Sequence, residues 1–153
     1  MKLYYAPGAC SLAPHIALSE AGLAYTTERV DLRAHTYGTG ADYYGVNPKG
    51  YVPVLELDNG ERLTEVAVIL QYIADRKPGT LAPAFGSLER YRQMEWLNFV
   101  ATELHKGLAP LWKPTTPGET ACIGEPCERN SAGSGFIDDS RVCVTRWRLS
   151  SAP

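Results

Sequence analysis

The sequence predicts an α/β domain followed by an incomplete all-α domain. Before residue 77, apolar residues alternate between strand and helix periods, in the order strand, helix, strand, loop or short helix, strand, strand, helix. Residues 78–86 are rich in proline and glycine, which indicates a linker. Residues 87–112 carry one regular helical pattern, and residues 113–153 carry no period. We therefore expect a folded domain over 1–77, the first helix of a second domain over 87–112, and a disordered tail.

Local signals predict the first strand and the first helix. The segment Lys2–Tyr5 is short and β-prone, and Pro7-Gly8 after it is a turn signal. Ser11 can accept from the unpaired N–H groups at the start of the next helix, and Gly22 suits the left-handed residue that ends it.

Three further strands are predicted, with a less regular stretch among them. Residues 25–32 alternate well enough for a second strand, whereas residues 33–45 are polar and favour a loop or a short helix. Residues 52–57 predict the third strand. Asp58-Asn59-Gly60 is a hairpin turn that leads into a short fourth strand at 61–63.

Two helices follow that hairpin. Thr64 can cap the first, which spans residues 66–76 and is apolar around much of its circumference, as expected for a helix packed on a sheet. Ser87 can cap the second, a long helix whose apolar residues recur every three or four positions towards Pro110.

Composition and charge exclude several classes of function. Of the 153 residues, 44% are hydrophobic and 21% are charged, which is enough to bury a core. A formal net charge of -2 leaves no cationic excess for a nucleic-acid backbone. No window is apolar enough to span a membrane, and the N-terminus lacks the apolar core of a secretion signal. We expect a cytoplasmic protein that binds neither nucleic acid nor membrane.

The four cysteines are unevenly placed. Cys10 precedes the predicted tail, whereas Cys122, Cys127 and Cys143 all lie within it. This distribution does not fit a disulfide framework. A zinc site in the tail is the weakest alternative, because the spacing matches no usual zinc motif and no histidine lies nearby, and we expect no metal.

Cys10 is the first candidate for chemistry. It lies at the start of a predicted helix, where unpaired N–H groups and the helix dipole favour a thiolate. The thiolate is the reactive form in nucleophilic attack and in thiol-disulfide exchange. The alternative is that Cys10 is a small buried hydrophobic residue.

Two further motifs suit a small zwitterionic ligand. Val52-Pro53 begins a strand after a loop, where a cis bond would turn a backbone edge outward, although an ordinary edge proline is the commoner case. At Thr64-Glu65, a helix N-terminus offers N–H donors to a carboxylate while Glu65 can face an ammonium group. The same pair is also an ordinary helix start.

A polar line follows the long helix. Asn98, Thr102 and His105 recur at helical spacing on an otherwise apolar element, and Lys106 comes next. Such lines are usually solvated faces. The alternative is that His105 and Lys106 orient or protonate a bound ligand.

Five segments together carry a specific pattern, and they read MKLYYAPGACSL at 1–12, NPKGYVPVL at 47–55, LTE at 63–65, EWLNF at 95–99 and ELHK at 103–106. In them the sequence resembles the bacterial beta-class glutathione transferases. We expect the resemblance to cover residues 1–112 and no part of 113–153. It implies a thioredoxin-like βαβαββα domain, an all-α domain after it, glutathione as co-substrate without a further cofactor, and a homodimer.

The resemblance implies catalytic roles for Cys10, Ser11 and His105. Cys10 contacts the glutathione sulfur and can form a mixed disulfide with it. Glutathione thiolate is stabilised near Cys10, Ser11 and His105, and it attacks a small electrophile. Alternatively, Cys10 exchanges with a disulfide substrate.

The N-terminal domain is expected to supply most of the glutathione contacts. Val52 pairs its backbone with the cysteinyl part before a cis Pro53, and Glu65 with the N–H of Val66 holds the γ-glutamyl end. Val66 departs from the glycine or serine of relatives and crowds the pocket. Tyr5 is a further expected contact.

The remaining contacts come from His35 and from the long helix. His35 stands where relatives often have a lysine that meets the glycyl carboxylate, which makes that contact weaker or pH-dependent. His105 and Lys106 approach the thiol and the glycyl end, and Asn98 supports that face. Glu103 reaches a γ-glutamyl group bound to the partner subunit.

The tail gives a competing hypothesis. Relatives continue beyond Trp112 with several more amphipathic helices, and a frameshift would explain their absence. The chain would then be a remnant that binds glutathione without turnover, or that associates through the apolar residues Leu97, Val100, Leu104 and Leu108.

Overall fold

A computed structural model describes residues 1–108, and the chain divides into two compact units, Met1–Ala101 and the residues from Thr102 onward. The strands of the first unit are β1 (Lys2–Tyr5), β2 (Thr26–Asp31), β3 (Thr36–Tyr37), β4 (Ala41–Asp42), β5 (Val54–Glu56) and β6 (Arg62–Leu63). Its α-helices are α1 (Leu12–Glu20), α2 (Val66–Arg76) and α3 (Leu88–Phe99). The expected domain boundaries at 77 and 87 stay a prediction.

The six strands form one mixed sheet in the order β4-β3-β2-β1-β5-β6. β1 is parallel to β2 and antiparallel to β5, and the other neighbours are antiparallel. A parallel pair needs a crossover connection, and α1 supplies it. The predicted α/β fold is confirmed, with β1 and α2 at the expected bounds.

The core is built from alternating residues on the two faces of the sheet. Leu3 and Leu55 point towards α1 and α2, where they pack with Leu18, Ile69 and Ile73. Residues on the other face pack beneath the loops: Tyr4, Val30, Tyr43, Val46 and Val54 are all buried there. Because strand side chains alternate with a period of two, Leu3 and Tyr4 serve opposite layers of the same fold.

The segment 33–45 is more regular than its sequence indicates. It contains the two-residue strands β3 and β4, which extend the sheet beyond β2. The expected loop or short helix is wrong only at the four strand residues; the rest of the segment is turn or the short 3-10 helix Tyr43–Gly45 that follows β4. Asp42 caps that turn by accepting from the N–H of Tyr44 at 2.9 Å.

The helix caps partly follow the sequence. Ser87 accepts from the N–H of Arg90 at 3.2 Å, as predicted, and Gly22 has the expected positive φ of 61°. Ser11 makes no side-chain cap bond. Thr64 is not the cap of α2, because the helix starts one residue later, after Glu65.

The long helix changes geometry at its C-terminal end. The α-helix ends at Phe99, and a π-helical segment, Val100–His105, follows it. Val100 is exposed, as the sequence predicts, and Leu97 is half-buried. The predicted tail at 113–153, with its three cysteines, lies outside the described residues.

Candidate functional site

Sheet topology brings the Cys10 and Val52 segments together. Cys10 follows the C-terminal end of β1, and β5 runs antiparallel to β1 with Tyr4 opposite Val54. Val52 precedes β5 and therefore lies beside the segment that carries Cys10. The thiol of Cys10 donates to the carbonyl oxygen of Val52 across 3.6 Å.

Glu65 lies at the same end of the sheet. β6 is antiparallel to β5, with Leu63 opposite Leu55, and Glu65 comes two residues after β6. The three predicted motifs at Cys10, Val52 and Glu65 thus meet at one edge, although they are far apart in the sequence.

Cys10 occupies the position that its sequence predicts. It is half-buried, and its carbonyl accepts from the N–H of Ala13 at 3.2 Å as the first turn of α1 forms. A half-buried thiol at the start of α1 is accessible to a ligand, and the expected ease of its ionisation stays a prediction.

Ser11 is buried completely and ties the loop to β1. Its hydroxyl accepts from the N–H of Ala6 and donates to the carbonyl of the same residue, both at 3.2 Å. This bonding replaces the predicted helix cap. It fixes the loop that positions Cys10, and the expected role of Ser11 in stabilising a thiolate stays a prediction.

The loop before β5 is held from beneath. The hydroxyl of Tyr43 and the side-chain amide of Asn47 both donate to the carbonyl of Tyr51, at 2.9 and 2.7 Å. The Val52-Pro53 peptide that follows is cis. These bonds fix the backbone edge that Val52 presents, and the cis bond that the resemblance implies is present.

Burial favours the protonated form of the Tyr43 hydroxyl. Burial raises the pKa of the Tyr43 phenol well above its usual range, with the neighbouring Tyr4 as a smaller cause. Burial likewise raises the pKa of Tyr4, whose hydroxyl lies 3.4 Å from a carboxylate oxygen of Glu56. Tyr43 therefore remains a donor to the loop at an alkaline pH at which a free tyrosine ionises.

Glu65 has an unusual backbone. Its φ of 67° lies in the left-handed region, which costs free energy for a residue other than glycine. Its carbonyl nevertheless accepts from the N–H groups of Val68 and Ile69, so the strained residue is held as the start of α2. Its side chain is exposed and its Oε1 lies 3.2 Å from Nζ of Lys49. The side chain of Val66 beside it is half-buried.

His35 packs against the loop that carries Lys49. Its ring stacks on Tyr44, with ring centroids 4.6 Å apart. A Cβ added at Gly50 would lie 2.9 Å from Cε1 and Nδ1 of His35, so only glycine fits there. Nδ1 of His35 is buried and has no hydrogen-bond partner among the described residues. The structure thus brings His35 close to the Val52 loop.

Tyr5 and Asn98 are the other predicted contacts that belong to the first unit. Tyr5 is half-buried, and its ring lies 5.9 Å from that of His15 on α1. Asn98 is exposed on α3. Glu103, His105 and Lys106 belong to the second unit, and their expected ligand contacts stay predictions.

Residues 1–108 contain neither a membrane-spanning helix nor a cluster of metal-ligating side chains. Within that range no helix is long and apolar enough to cross a bilayer. Nor does that range contain a group of three metal-ligating side chains that could hold an ion. The predicted alternative of zinc at Cys122, Cys127 and Cys143 lies outside the described residues.

Sequence reasoning missed the groups that build the loop. The Tyr43 and Asn47 donors and the Lys49–Glu65 ion pair were not predicted. The turn signal at Asn47-Pro48-Lys49-Gly50 could have shown a tight turn. No local signal could have shown which side chains would meet across it.

Comparison with known proteins gives a consistent result. Residues 8–76 match the family model described as the glutathione S-transferase N-terminal domain. The chain is 54% identical over 157 aligned positions to glutathione S-transferase GstA of Escherichia coli O157:H7, and the alignment covers 99% of this chain and 78% of that protein. This alignment extends past Trp112, so the expected end of the resemblance there does not hold for this relative.

Solved structures give the same answer. A sphingomonad glutathione S-transferase complexed with glutathione is 52% identical, with a TM-score of 0.75. The bacterial beta-class glutathione S-transferase of Sphingomonas chungbukensis is 53% identical, also with a TM-score of 0.75. Each match covers 78% of this chain and 60% of the other. The chain therefore spans less than two thirds of these two structures.

The relatives and the site geometry indicate the same family. Their family is the one that residues 1–12 and 47–55 resemble, and the thioredoxin-like fold holds the cysteine, the cis proline and the acidic residue at one sheet edge. These matches favour the expected family over an inert remnant. The chain belongs to the glutathione S-transferase family.

Proposed function

We propose that this chain binds glutathione along the edge that Cys10, Val52 and Glu65 form, and that it conjugates glutathione through its sulfur to small electrophiles. The observation that carries this proposal is the Cys10–Val52 contact beside a cis Pro53. A ligand cysteine that pairs with the backbone of Val52 would place its sulfur next to Cys10. Glu65 and the N–H of Val66 would then hold the γ-glutamyl end.

Two reactions follow from a thiolate at this position. In conjugation, the glutathione sulfur forms a bond to an electrophilic carbon and the leaving group departs with its electron pair. In exchange, the Cys10 thiolate attacks a disulfide and forms a mixed disulfide, and the released sulfur leaves as a thiolate. A second thiolate then attacks the mixed disulfide and restores Cys10. Both reactions require the attacking sulfur as a thiolate.

The finer parts of this proposal rest on the resemblance. Asn98, His105 and Lys106 complete the ligand contacts from the helical part. Glu103 acts across a homodimer, and the protein works in the cytoplasm. His35 takes the glycyl carboxylate, and its position beside Gly50 supports this role.

Two assays on the purified full chain test the proposal. The first follows conjugation of glutathione to a chlorodinitrobenzene, and the second follows reduction of a small disulfide by glutathione. We expect activity above the uncatalysed rate in at least one. A folded chain that is inactive in both but binds glutathione would support the glutathione-binding remnant instead, and a chain that binds none would overturn the proposal.

A further inference from the structure

Lys49 and Glu65 form an ion pair at the edge where the ligand is proposed to bind. Nζ of Lys49 lies 3.2 Å from Oε1 of Glu65, although the two residues are 16 positions apart. Their side chains are 61% and 68% exposed, so water screens the pair and it contributes little to folding stability. An exposed pair of this kind can open readily when a charged ligand offers each partner a new contact.

The backbone of Lys49 is held firmly, in contrast to its exposed head group. Asn47 is almost completely buried, and its side-chain oxygen accepts from the N–H of Lys49 at 3.1 Å. The carbonyl of Asn47 accepts from the N–H of Gly50 at 2.8 Å, which closes the turn. Gly50 has a φ of 69° and packs on His35. The turn therefore fixes the backbone of Lys49, while its ammonium group is exposed.

The backbone of Glu65 is fixed in the same sense. Its left-handed conformation is retained at the start of α2, where its carbonyl accepts two helix N–H groups. Strain of this kind persists where the surrounding structure enforces it, and it is common at ligand-binding positions. The pair thus joins one exposed cation and one exposed anion, each on a rigid backbone.

The γ-glutamyl head of glutathione carries an ammonium and a carboxylate on the same carbon. Glu65 can satisfy the ammonium, but Val66 brings only a backbone N–H to the carboxylate because its side chain has no donor. Among the described residues, Lys49 is the cation that pairs with Glu65. When the ligand ammonium pairs with Glu65, it displaces Lys49 from that carboxylate. Lys49 can then pair with the ligand carboxylate nearby.

We propose that Lys49 binds the α-carboxylate of the γ-glutamyl group while Glu65 binds its ammonium. This inference rests on the proposed function. Binding then replaces one ion pair of the protein by two ion pairs with the ligand, so no charge is left without a partner. Lys49 also makes the edge selective, because a peptide without the α-carboxylate gains nothing from it.

The test compares two peptides on two variants of the full chain. One peptide is glutathione, and the other is 4-aminobutyryl-cysteinylglycine, which keeps the ammonium but lacks the α-carboxylate. Titration calorimetry gives their dissociation constants for the unsubstituted chain and for Lys49→Met. The matched control is Lys77→Met, which removes an exposed lysine at the end of α2.

We expect Lys49→Met to weaken glutathione binding about tenfold, as loss of a charged hydrogen bond would, and to leave binding of the second peptide unchanged. Lys49→Arg should restore most of the affinity, and Lys77→Met should change neither constant. An equal loss for both peptides, or tighter glutathione binding by Lys49→Met, would overturn the assignment while leaving the proposed function intact. Failure of the unsubstituted chain to bind glutathione would overturn both.

Discussion

The thiol of Cys10 donates to the carbonyl oxygen of Val52, 42 residues further along the chain. This contact joins the start of α1 to the peptide that precedes β5. It places the candidate nucleophile directly against the backbone edge proposed to hold the ligand cysteine. The proposed reaction at Cys10 and the proposed binding of the ligand at Val52 therefore depend on the same contact.

Cys10→Ala should abolish formation of a mixed disulfide while glutathione binding is largely retained. The substitution removes the sulfur but leaves the Val52 edge and Glu65 in place. Mass spectrometry after incubation with glutathione disulfide measures the adduct, and calorimetry measures binding. An adduct of undiminished yield on Cys10→Ala would contradict the assigned role of Cys10.

Ser11→Ala should destabilise the fold by about 1–3 kcal/mol, because it leaves the buried N–H of Ala6 without its partner, whereas the Ala6 carbonyl keeps the N–H of Ala9. Urea unfolding followed by circular dichroism measures the change. Ser19→Ala is the matched control, since Ser19 lies on α1 and its hydroxyl also makes hydrogen bonds, but at an exposed position. Equal and small effects of the two substitutions would show that the buried bonds contribute little.

The N-terminal ammonium should make the stability of the fold depend on acid pH. It forms an ion pair with Asp58 and holds the pKa of that carboxyl below its usual range in the folded state. A lowered folded pKa stabilises the fold above the unfolded pKa, and this contribution is lost as the pH falls through the folded value. Asp58→Asn should therefore flatten the acid limb of a plot of urea midpoint against pH. An unchanged limb would contradict this.

Tyr43 should give the opposite dependence at alkaline pH. Burial raises the pKa of its phenol in the folded state, so the unfolded chain ionises first as the pH rises through about 10. The contribution of Tyr43 is present below that value and is lost above it. Tyr43→Phe should reduce the alkaline loss of stability, measured by urea midpoints between neutral and alkaline pH. Tyr91→Phe, on an exposed tyrosine, is the control and should leave the loss unchanged.

Regular elements were predictable from the sequence, whereas contacts across the fold were not. α2 begins and ends where its apolar pattern does, because eleven residues carry several helical periods. β3 and β4 have two residues each, and so short a strand has no period to detect. The pairing of β3 with β2 and of β4 with β3 makes them strands, and that is a property of the fold.

The candidate site likewise contains features that the sequence predicts and features that only the fold determines. Cys10 was predictable because its helix start is encoded nearby. The hydroxyl of Ser11 could cap α1 or bond to Ala6, and only the packing of the loop decides for Ala6. The Lys49–Glu65 ion pair depends on how the fold places two separate segments side by side. Their spacing in the sequence therefore does not predict it.

The most direct test of the account is glutathione binding by Glu65→Gln, measured by calorimetry on the full chain at neutral pH. The substitution keeps the size of the side chain and removes the charge that pairs with the ligand ammonium. The account predicts binding by the unsubstituted chain and affinity lower by about tenfold or more in the variant, as expected for a lost charged contact. Equal affinity of the two proteins would contradict the placement of the γ-glutamyl group at Glu65, and no binding by either would contradict the glutathione site itself.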